Sequence, residues 1–432
     1  MKRKGLYGFL ILLLIFNLVV AFRVFTSKAI ADTDDPGYEN LTVFTRALQL
    51  IRQDYVDATK TGYKDLTYSA LRGMLASLDP HSQFMEPSDF KDMEDETRSE
   101  FGGLGIVVST KDGVLTVVSP MENSPGSRAG ILPGDRILRI NSITTEKLSL
   151  QDAVNMLRGE PGQKVTLTIF RPSTNDTKDY VLEREIIRVP SVKDAKILDP
   201  SLTGNFEIGY VRITQFDEPT AQELDQKLND LQNRGMQALI VDLRYNPGGL
   251  LSSAVDVCGL FLPPRTMVVY TEGREPGQRR EYFTNRNAKQ RPNFPLVLLV
   301  NGGSASGAEI MAGALKDLNR AILVGETTFG KGSVQSVIQL PDGSALRLTT
   351  AKYYTPSKQV VHEKGVTPNI RASLSPDEER ALILRHRDGA LNQDEQAFVA
   401  EQKDPQLDRA IDALKGAMIY NQNAKKAQPS QQ

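Results

Sequence analysis

Two short runs in the second half of the chain carry residues that could do chemistry, at positions 301–309 and 325–335. Each run follows an apolar, strand-like stretch and forms a turn rich in small residues. A serine hydroxyl is a poor nucleophile until a base removes its proton, and a neutral lysine amine can serve as that base. Ser306 and Lys331 are therefore the candidate nucleophile and base, and the pair predicts peptide hydrolysis.

Lys331 can accept a proton only if its surroundings keep the amine neutral. The pKa of free lysine is about 10.4, so roughly one amine in a few thousand is neutral at pH 7, and burial must lower that pKa. Phe329 and the glycines on either side of Lys331 indicate a buried, uncharged setting. A nearby Glu326 carboxylate would raise the pKa, and we expect it to point away. Gln335 is uncharged and could hold the amine by a hydrogen bond.

Acyl transfer also requires donors for the oxyanion. If Ser306 begins a helix, the Gly307 N–H is unpaired and lies at the positive end of the helix dipole. The second donor is expected from Gly248 or Gly249, which follow an apolar strand and can adopt backbone angles that other residues avoid. Ser304 stays open as an alternative nucleophile, but Ser306 is better placed to begin the helix.

The elements around these residues alternate between strand and helix, which predicts a layered βα domain with parallel strands. Apolar runs predict strands, and helical periodicity predicts the segments between them. The expected strands are 208–213, 238–243, 296–300 and 321–324, the expected helices are 219–234, 251–261 and 306–318, and 334–340 with 345–350 form a hairpin. The candidate residues follow strand ends, so they can converge at one edge of the sheet.

A smaller β-rich module precedes this domain and resembles a PDZ domain. The resemblance rests on the Gly102–Gly105 loop before a strand and on Ala129–Gly130 followed by Pro133–Asp135. Glycines allow backbone N–H groups to point together at a terminal carboxylate, while the adjacent strand edge takes up an extended peptide. A plain structural turn would also explain the loop alone. The resemblance implies that the tail binds at Gly102, Gly103, Leu104, Gly105 and Ile106.

Composition limits the other function classes. The chain has 432 residues, which indicates two or three domains, and its net charge of −1 gives no reason to expect a nucleic-acid partner. The histidines, His81, His362 and His386, share no metal-ligand spacing, so we expect no metal site and no cofactor. Cys258 lies in an apolar run and is interpreted as core filler.

The N-terminus predicts export. Basic residues 2–4 precede an apolar run at 6–22, which is the pattern of an export signal. We favour a retained membrane anchor through residues 6–22, while cleavage after 29–31 stays open. In both cases the residues after 32 are expected outside the cytoplasm, in the periplasm or another extracytoplasmic space, with the anchor in the inner membrane.

The whole chain resembles the carboxy-terminal processing proteases, the tail-specific peptidase family S41, over roughly residues 40–420. The matching runs stand in the family's order at 78–82, 101–106, 242–249, 303–310 and 325–335. The resemblance implies that Ser306 is the nucleophile, Lys331 the base and Gln335 an assisting residue. It also implies that Arg158, near the last helix of the PDZ module, senses bound substrate.

Three positions depart from the family's pattern. Gly307 stands where alanine is common, and Lys358 and Asn369 replace the usual glycine and aspartate near the last strands. Gly307 keeps its N–H, so the departure leaves the oxyanion donor in place. We expect the other two to affect local turns only.

The resemblance implies an α/β multidomain fold, a ClpP/crotonase-like protease core with an inserted PDZ domain and helical segments at both ends. The expected parts are a signal or anchor (1–32), a helical region (38–95), the PDZ domain (96–186), the core (187–374) and a C-terminal helical region (375–432). The expected partners are proteins with exposed C-termini, while an adaptor and a homo-oligomer stay open. A non-catalytic PDZ scaffold and an acyl-thioester enzyme are the alternatives, and Lys331 with Gln335 after a core strand favours the protease.

Overall fold

The structure is a computed structural model that describes residues 37–427 apart from 112, 276, 288–290, 292 and 388. The predicted anchor at 6–22 and the cleavage alternative at 29–31 lie outside the described residues. Within the described part of the chain, no helix has both the length and the apolar character needed to cross a bilayer. The chain divides into two compact units, residues up to Leu78 and residues from Asp79 onward.

The described residues of the first unit, 37–78, contain two α-helices, which lie in the region expected to be helical (38–95). They are α1 (Gly37–Asp54) and α2 (Tyr63–Ala76). Helix α1 has no buried residue, whereas α2 buries Tyr68 and Leu75 from its apolar stripe.

The second unit begins with a short strand and a helix. They are β1 (Gln83–Met85) and α3 (Pro87–Thr97). Pro87 occupies the first helical position of α3, where its missing N–H and fixed φ are favourable.

A β-rich module follows and occupies the segment predicted to be a PDZ domain. Its elements are β2 (Glu100–Gly103), β3 (Ile106–Lys111), β4 (Val114–Pro120), α4 (Pro125–Arg128), β5 (Arg136–Ile140), β6 (Ile143–Thr144), α5 (Leu150–Leu157), β7 (Lys164–Arg171), β8 (Asp176–Glu183) and β9 (Glu185–Arg188). The sheet order is β3-β4-β5-β7-β8, with β6 on β5, and β2 pairs separately with β9. Strand β7 buries Val165, Leu167 and Ile169, the two-residue period of a half-buried strand.

The core contains a six-stranded and a five-stranded sheet. Its elements are β10 (Val192–Ile197), α6 (Pro200–Thr203), β11 (Ile208–Ile213), α7 (Thr220–Asn233), β12 (Ala238–Asp242), α8 (Leu251–Gly259), β13 (Met267–Gly273), β14 (Arg280–Phe283), β15 (Leu296–Val300), α9 (Gly307–Asp317), β16 (Ile322–Gly325), β17 (Ser333–Gln339), β18 (Ala345–Tyr354) and β19 (Ile370–Arg371). Three helices follow, α10 (Pro376–His386), α11 (Gln393–Glu401) and α12 (Pro405–Ala427).

The six-stranded sheet has the order β10-β11-β12-β15-β16-β19, and all neighbours except β10 and β11 pair in parallel. Every residue of β12 and β15 is buried, as expected for parallel strands covered on both faces. The sheet packs into two hydrophobic cores. Residues of α7, α8 and α9 belong to the first core, and residues of α12 belong to the second.

The five-stranded sheet has the order β1-β18-β13-β14, with β17 also paired to β18. All of its neighbouring strands are antiparallel. The predicted α/β class with an inserted β-rich module and terminal helices is confirmed. The strands that sequence reasoning missed include β1, β8, β13 and β14, and the reason for β8 is plain, since Leu182 is its single buried residue.

Candidate active site

Three loops at the carboxyl ends of neighbouring parallel strands carry the candidate residues. Gly248 follows β12, Ser306 follows β15 and Lys331 follows β16. A Cβ placed on Gly248 would lie 2.6 Å from the Ser306 Cβ, so these two loops touch. The Ser306 and Lys331 N–H groups each donate to Oε2 of Glu309 at 2.9 Å. The fold therefore brings together the loops that the sequence pattern singles out.

Ser306 directly precedes α9 and has an unusual backbone conformation. Its φ of 52° and ψ of −113° are those of a position in a type II′ turn that glycine normally occupies. For a serine this conformation costs on the order of 1–3 kcal/mol and persists only when the surroundings enforce it. The side chain is half-buried at the start of the helix. Ser306 thus lies directly before the first residue of a helix, as expected of the candidate nucleophile.

Ser304, the alternative nucleophile, has a different environment. It is completely buried, and its hydroxyl donates to the Leu243 carbonyl at 2.7 Å while accepting the Asn301 N–H at 3.0 Å. The hydroxyl therefore serves the loop geometry, and these contacts favour Ser306.

Glu309 fastens the Ser306 turn to the Lys331 loop. This carboxylate is completely buried, and besides Ser306 and Lys331 it accepts the Gly330 N–H at 2.7 Å and the Thr328 hydroxyl at 2.5 Å. Sequence reasoning gave Glu309 no role. Its place three residues after a helix-opening serine is a capping-box signal, but that pattern by itself indicates only a helix start.

Tyr353 is a second bridge that sequence reasoning missed. Its buried hydroxyl donates to the Lys331 carbonyl and lies 3.2 Å from the Ser306 carbonyl. Burial, and then the Glu309 charge, raises the pKa of Tyr353 well above its ordinary value. The phenol therefore stays protonated and able to donate.

The surroundings of Lys331 favour the neutral amine. Burial lowers its pKa below the ordinary value, the Arg347 charge lowers it further, and the Glu309 charge acts in the opposite direction. Glu309, not Glu326, is therefore the carboxylate that raises this pKa. The expected contribution of Phe329 is wrong, because its side chain is 63% exposed.

Glu326 acts elsewhere in the site. Burial and Glu379 raise the pKa of Tyr245, and Glu326 adds a smaller effect in the same direction. The expectation that Glu326 points away from the Lys331 amine stays a prediction.

Gln335 lies in β17 with its amide nitrogen already engaged. Nε2 donates to Ser333 Oγ at 2.9 Å and to Thr349 Oγ1 at 3.2 Å. The Thr349 N–H in turn donates to Ser82 Oγ, and the Ser82 hydroxyl donates to Asp79. The run 78–82, which the sequence singled out, therefore supplies Ser82, which is linked to Gln335 through Thr349.

The glycine pair after β12 presents one open donor. The Gly248 N–H donates to Asn246 Oδ1 at 2.8 Å. Within the described part of the chain, the N–H groups of Gly249 and Gly307 donate to no protein group. The Gly249 nitrogen lies 3.5 Å from the position of a Gly307 Cβ, so the two open donors are neighbours. Gly249, and not Gly248, is therefore the glycine of this pair whose open N–H group lies beside that of Gly307.

Arg244 holds the strand that leads to these glycines. Its buried guanidinium donates to Asp242 and to Asp404 at the start of α12, at 2.7 and 2.9 Å. Although burial favours the neutral acid, Arg244 holds the pKa of Asp242 below its ordinary value. The network joins the end of β12 to the C-terminal helix.

The predicted tail-binding residues divide into two groups. Gly102 and Gly103 lie within β2 and pair with β9. Among the described residues, no protein group accepts the N–H of Leu104 or Gly105, and Ile106 then begins β3. Since β3 ends the sheet order, its outer edge is available to an added strand.

Arg158 lies behind this loop at the end of α5. Its guanidinium is 4.7 Å from the centre of the Phe101 ring and 3.6 Å from Asp92 on α3. The Gly159 N–H donates to the Gly102 carbonyl at 3.0 Å, which ties the end of α5 to the loop strand.

Comparison with known proteins supports the same reading. Residues 207–372 match peptidase family S41, and residues 116–171 match the PDZ domain. The chain is 35% identical to the carboxy-terminal-processing protease of Bartonella bacilliformis, with 93% of this chain and 94% of that protein covered. It is 39% identical to the carboxyl-terminal-processing protease of Synechocystis, with 74% of each covered, and 35% identical to the carboxy-terminal processing protease CtpA of Bacillus subtilis, with 80% and 71% covered. The chain therefore belongs to the carboxy-terminal processing proteases, serine peptidases of family S41 with a PDZ domain.

Proposed function

We propose that this protease is exported, captures protein C-termini on its PDZ domain, and cleaves them at Ser306 with Lys331 as the base. The observation that carries the proposal is the shared carboxylate. The backbones of Ser306 and Lys331 are both bound to Glu309 Oε2 at 2.9 Å. Such fastening favours a fixed distance between a nucleophile and its base.

Lys331 takes the Ser306 proton as the hydroxyl attacks the peptide carbonyl, and later returns it to the leaving amine. Burial and the Arg347 charge support this role because both lower the pKa of Lys331. Gln335 orients the amine through its oxygen, since its nitrogen is engaged by Ser333 and Thr349. Water then releases the acyl-enzyme.

The Gly307 and Gly249 N–H groups bind the oxyanion. Both lack a protein acceptor in the described chain, and Gly307 is the first residue of α9, where the helix dipole is positive. Donors of this kind are typically worth 10²–10³ in kcat. Gly248 supports the loop through its bond to Asn246.

The PDZ domain binds the terminal carboxylate at the Leu104 and Gly105 N–H groups. The rest of the tail extends along the edge of β3 from Ile106, and the chain upstream reaches Ser306. Gly102 and Gly103 hold the loop through the β2–β9 ladder. Arg158 senses the occupied loop from the end of α5.

Export rests on the sequence. Basic residues 2–4 and the apolar run 6–22 would direct the chain into the membrane and leave the residues after 32 in the periplasm or another extracytoplasmic space. A retained anchor keeps the full chain in the membrane fraction after alkaline extraction. Release of a shortened chain would support cleavage near 29–31 instead.

Cleavage of an unfolded-tail reporter tests the chemistry. Ser306→Ala and Lys331→Ala should each abolish cleavage, whereas Lys352→Ala, an exposed lysine on β18, should leave it unchanged. Full activity in either of the first two variants would exclude the mechanism. Amidation of the reporter's C-terminus should weaken cleavage, and no effect would argue against carboxylate capture.

A further inference from the structure

The entrance and the exit of the PDZ domain meet at one buried residue. Ser99 lies between α3 and β2, where the chain enters the domain, and its carbonyl accepts the N–H of Val189, where the chain leaves. Its hydroxyl donates to Oδ2 of Asp217 in the protease core. Ser99 and Asp217 are both 6% exposed, so this contact between the boundary of the PDZ domain and the protease core is shielded from water.

Asp217 belongs to the segment that contacts the loops carrying the proposed oxyanion donors. The preceding residue, Phe216, donates its N–H to the Gly248 carbonyl at 2.8 Å and accepts the Leu250 N–H at 2.7 Å. A Cβ on Gly307 would lie 3.2 Å from the Phe216 ring. Phe216 therefore touches both the glycine loop and the start of α9.

The contact is also directional. The same Asp217 oxygen accepts Gln215 Nε2 at 2.6 Å, and the Asp217 N–H donates to Thr220 Oγ1 at 2.8 Å. Ser99 has a φ of 53°, a conformation that residues other than glycine rarely adopt. Ser99 is thus held in one defined backbone conformation, with its hydroxyl donated to Asp217 in the protease core.

We propose that Ser99 and Asp217 are positioning residues that couple the PDZ domain to the oxyanion loop. The inference rests on the proposed function. Strand β2 begins one residue after Ser99 and ends at the tail-binding loop, so a shift of that loop on binding moves Ser99. Asp217 and Phe216 transmit the shift to Gly249, whose N–H then points at the oxyanion.

The test compares two reporters with the same sequence, one with a free C-terminus and one amidated. The measured quantity is the ratio of their kcat values. Ser99→Ala should lower kcat on the free-carboxylate reporter roughly tenfold, less than the loss of a whole donor, and bring the ratio close to one. KM should change less than about twofold, because the tail-binding loop itself is intact.

Further variants separate positioning from folding. Ser99→Gly removes the hydroxyl but accepts the positive φ, so it should fold and show the same loss as Ser99→Ala. Asp217→Asn keeps an oxygen for the Ser99 hydroxyl and should retain most of the ratio, whereas Asp217→Ala should lose it. Ser375→Ala, a matched loss of one hydroxyl bond at the start of α10, should leave the ratio unchanged.

An unchanged ratio in folded Ser99→Gly would overturn the inference, and so would a rise in KM at constant kcat. A kcat ratio of one in the wild type would also overturn the inference, whereas carboxylate capture itself would be contradicted only if amidation changed neither kcat nor KM. The chemistry at Ser306 is judged separately, by the loss of cleavage in Ser306→Ala.

Discussion

Glu309 accepts the backbone N–H of Lys331 at 2.9 Å, through the oxygen that also accepts the backbone N–H of Ser306. Glu309→Gln replaces one carboxylate oxygen by an amide nitrogen, and because each oxygen accepts two of these hydrogen bonds, two of the four donors lose their acceptor. We expect kcat to fall about 10²-fold with KM little changed, because a shift of about 1 Å between reacting groups costs that much. Steady-state kinetics on the tail reporter measures both parameters, and an unchanged kcat would contradict the fastening role.

The same substitution should shift the pH profile. The Glu309 charge raises the pKa of Lys331, so its removal should lower that pKa. The amine then becomes neutral at lower pH, and the acidic limb of kcat/KM moves to lower pH. A limb that stays in place would show that Glu309 acts through geometry alone.

Arg347→Gln should shift this limb in the opposite direction. The Arg347 charge lowers the pKa of Lys331, so its loss should raise that pKa and reduce the neutral fraction of the amine at neutral pH. The acidic limb of kcat/KM should therefore move to higher pH. Lys352→Gln is the matched control, an exposed cation on the same strand, and should leave the profile unchanged.

Gly249→Ala should disable the proposed oxyanion donor. The φ of Gly249 is 140°, and a Cβ would lie 2.2 Å from the Phe216 carbonyl oxygen, so alanine forces the loop to move. We expect kcat to fall 10²–10³-fold, the usual effect of losing one donor. Gly416→Ala in α12, where nothing lies within 4 Å of the added carbon, should keep wild-type kinetics.

The sequence predicts the parts of this site that depend on local pattern. The buried strand β15 is a continuous apolar run, β12 is apolar up to Asp242, and the loops after them contain the expected Gly249 and Ser306. The hydrogen bond that the Gly248 N–H donates to the Asn246 side chain is local and typical of asparagine in turns, so it could have been predicted from the sequence.

The parts that the sequence does not predict depend on contacts between distant segments. Glu309 meets Gly330 and Lys331 only because β15 and β16 are neighbours in the sheet. Phe329 looks like a buried flank because it is apolar, yet it is 63% exposed, and the loop packs instead against a distant segment, since the Glu363 N–H donates to the Gly330 carbonyl at 2.8 Å. Burial of a loop residue depends on what packs against it, which a local pattern does not contain.

Arg244→Met should lower the free energy of unfolding more than the loss of an exposed ion pair does. Arg244 is 3% exposed and bridges Asp242 and Asp404, so its loss leaves two carboxylates without their cation. Removing one partner of such a buried pair typically costs 3–5 kcal/mol, whereas Arg234→Met, at the exposed pair with Asp230, should cost less than about 1 kcal/mol. Urea unfolding monitored by circular dichroism measures both free energies.

The pKa of Asp242 is lowered in the folded protein, so the stability contributed by its pairing is present above the ordinary aspartate pKa of about 3.9 and is lost as the pH falls through the folded value. The difference between wild type and Arg244→Met should therefore shrink in acid, and a difference independent of pH would contradict the pairing.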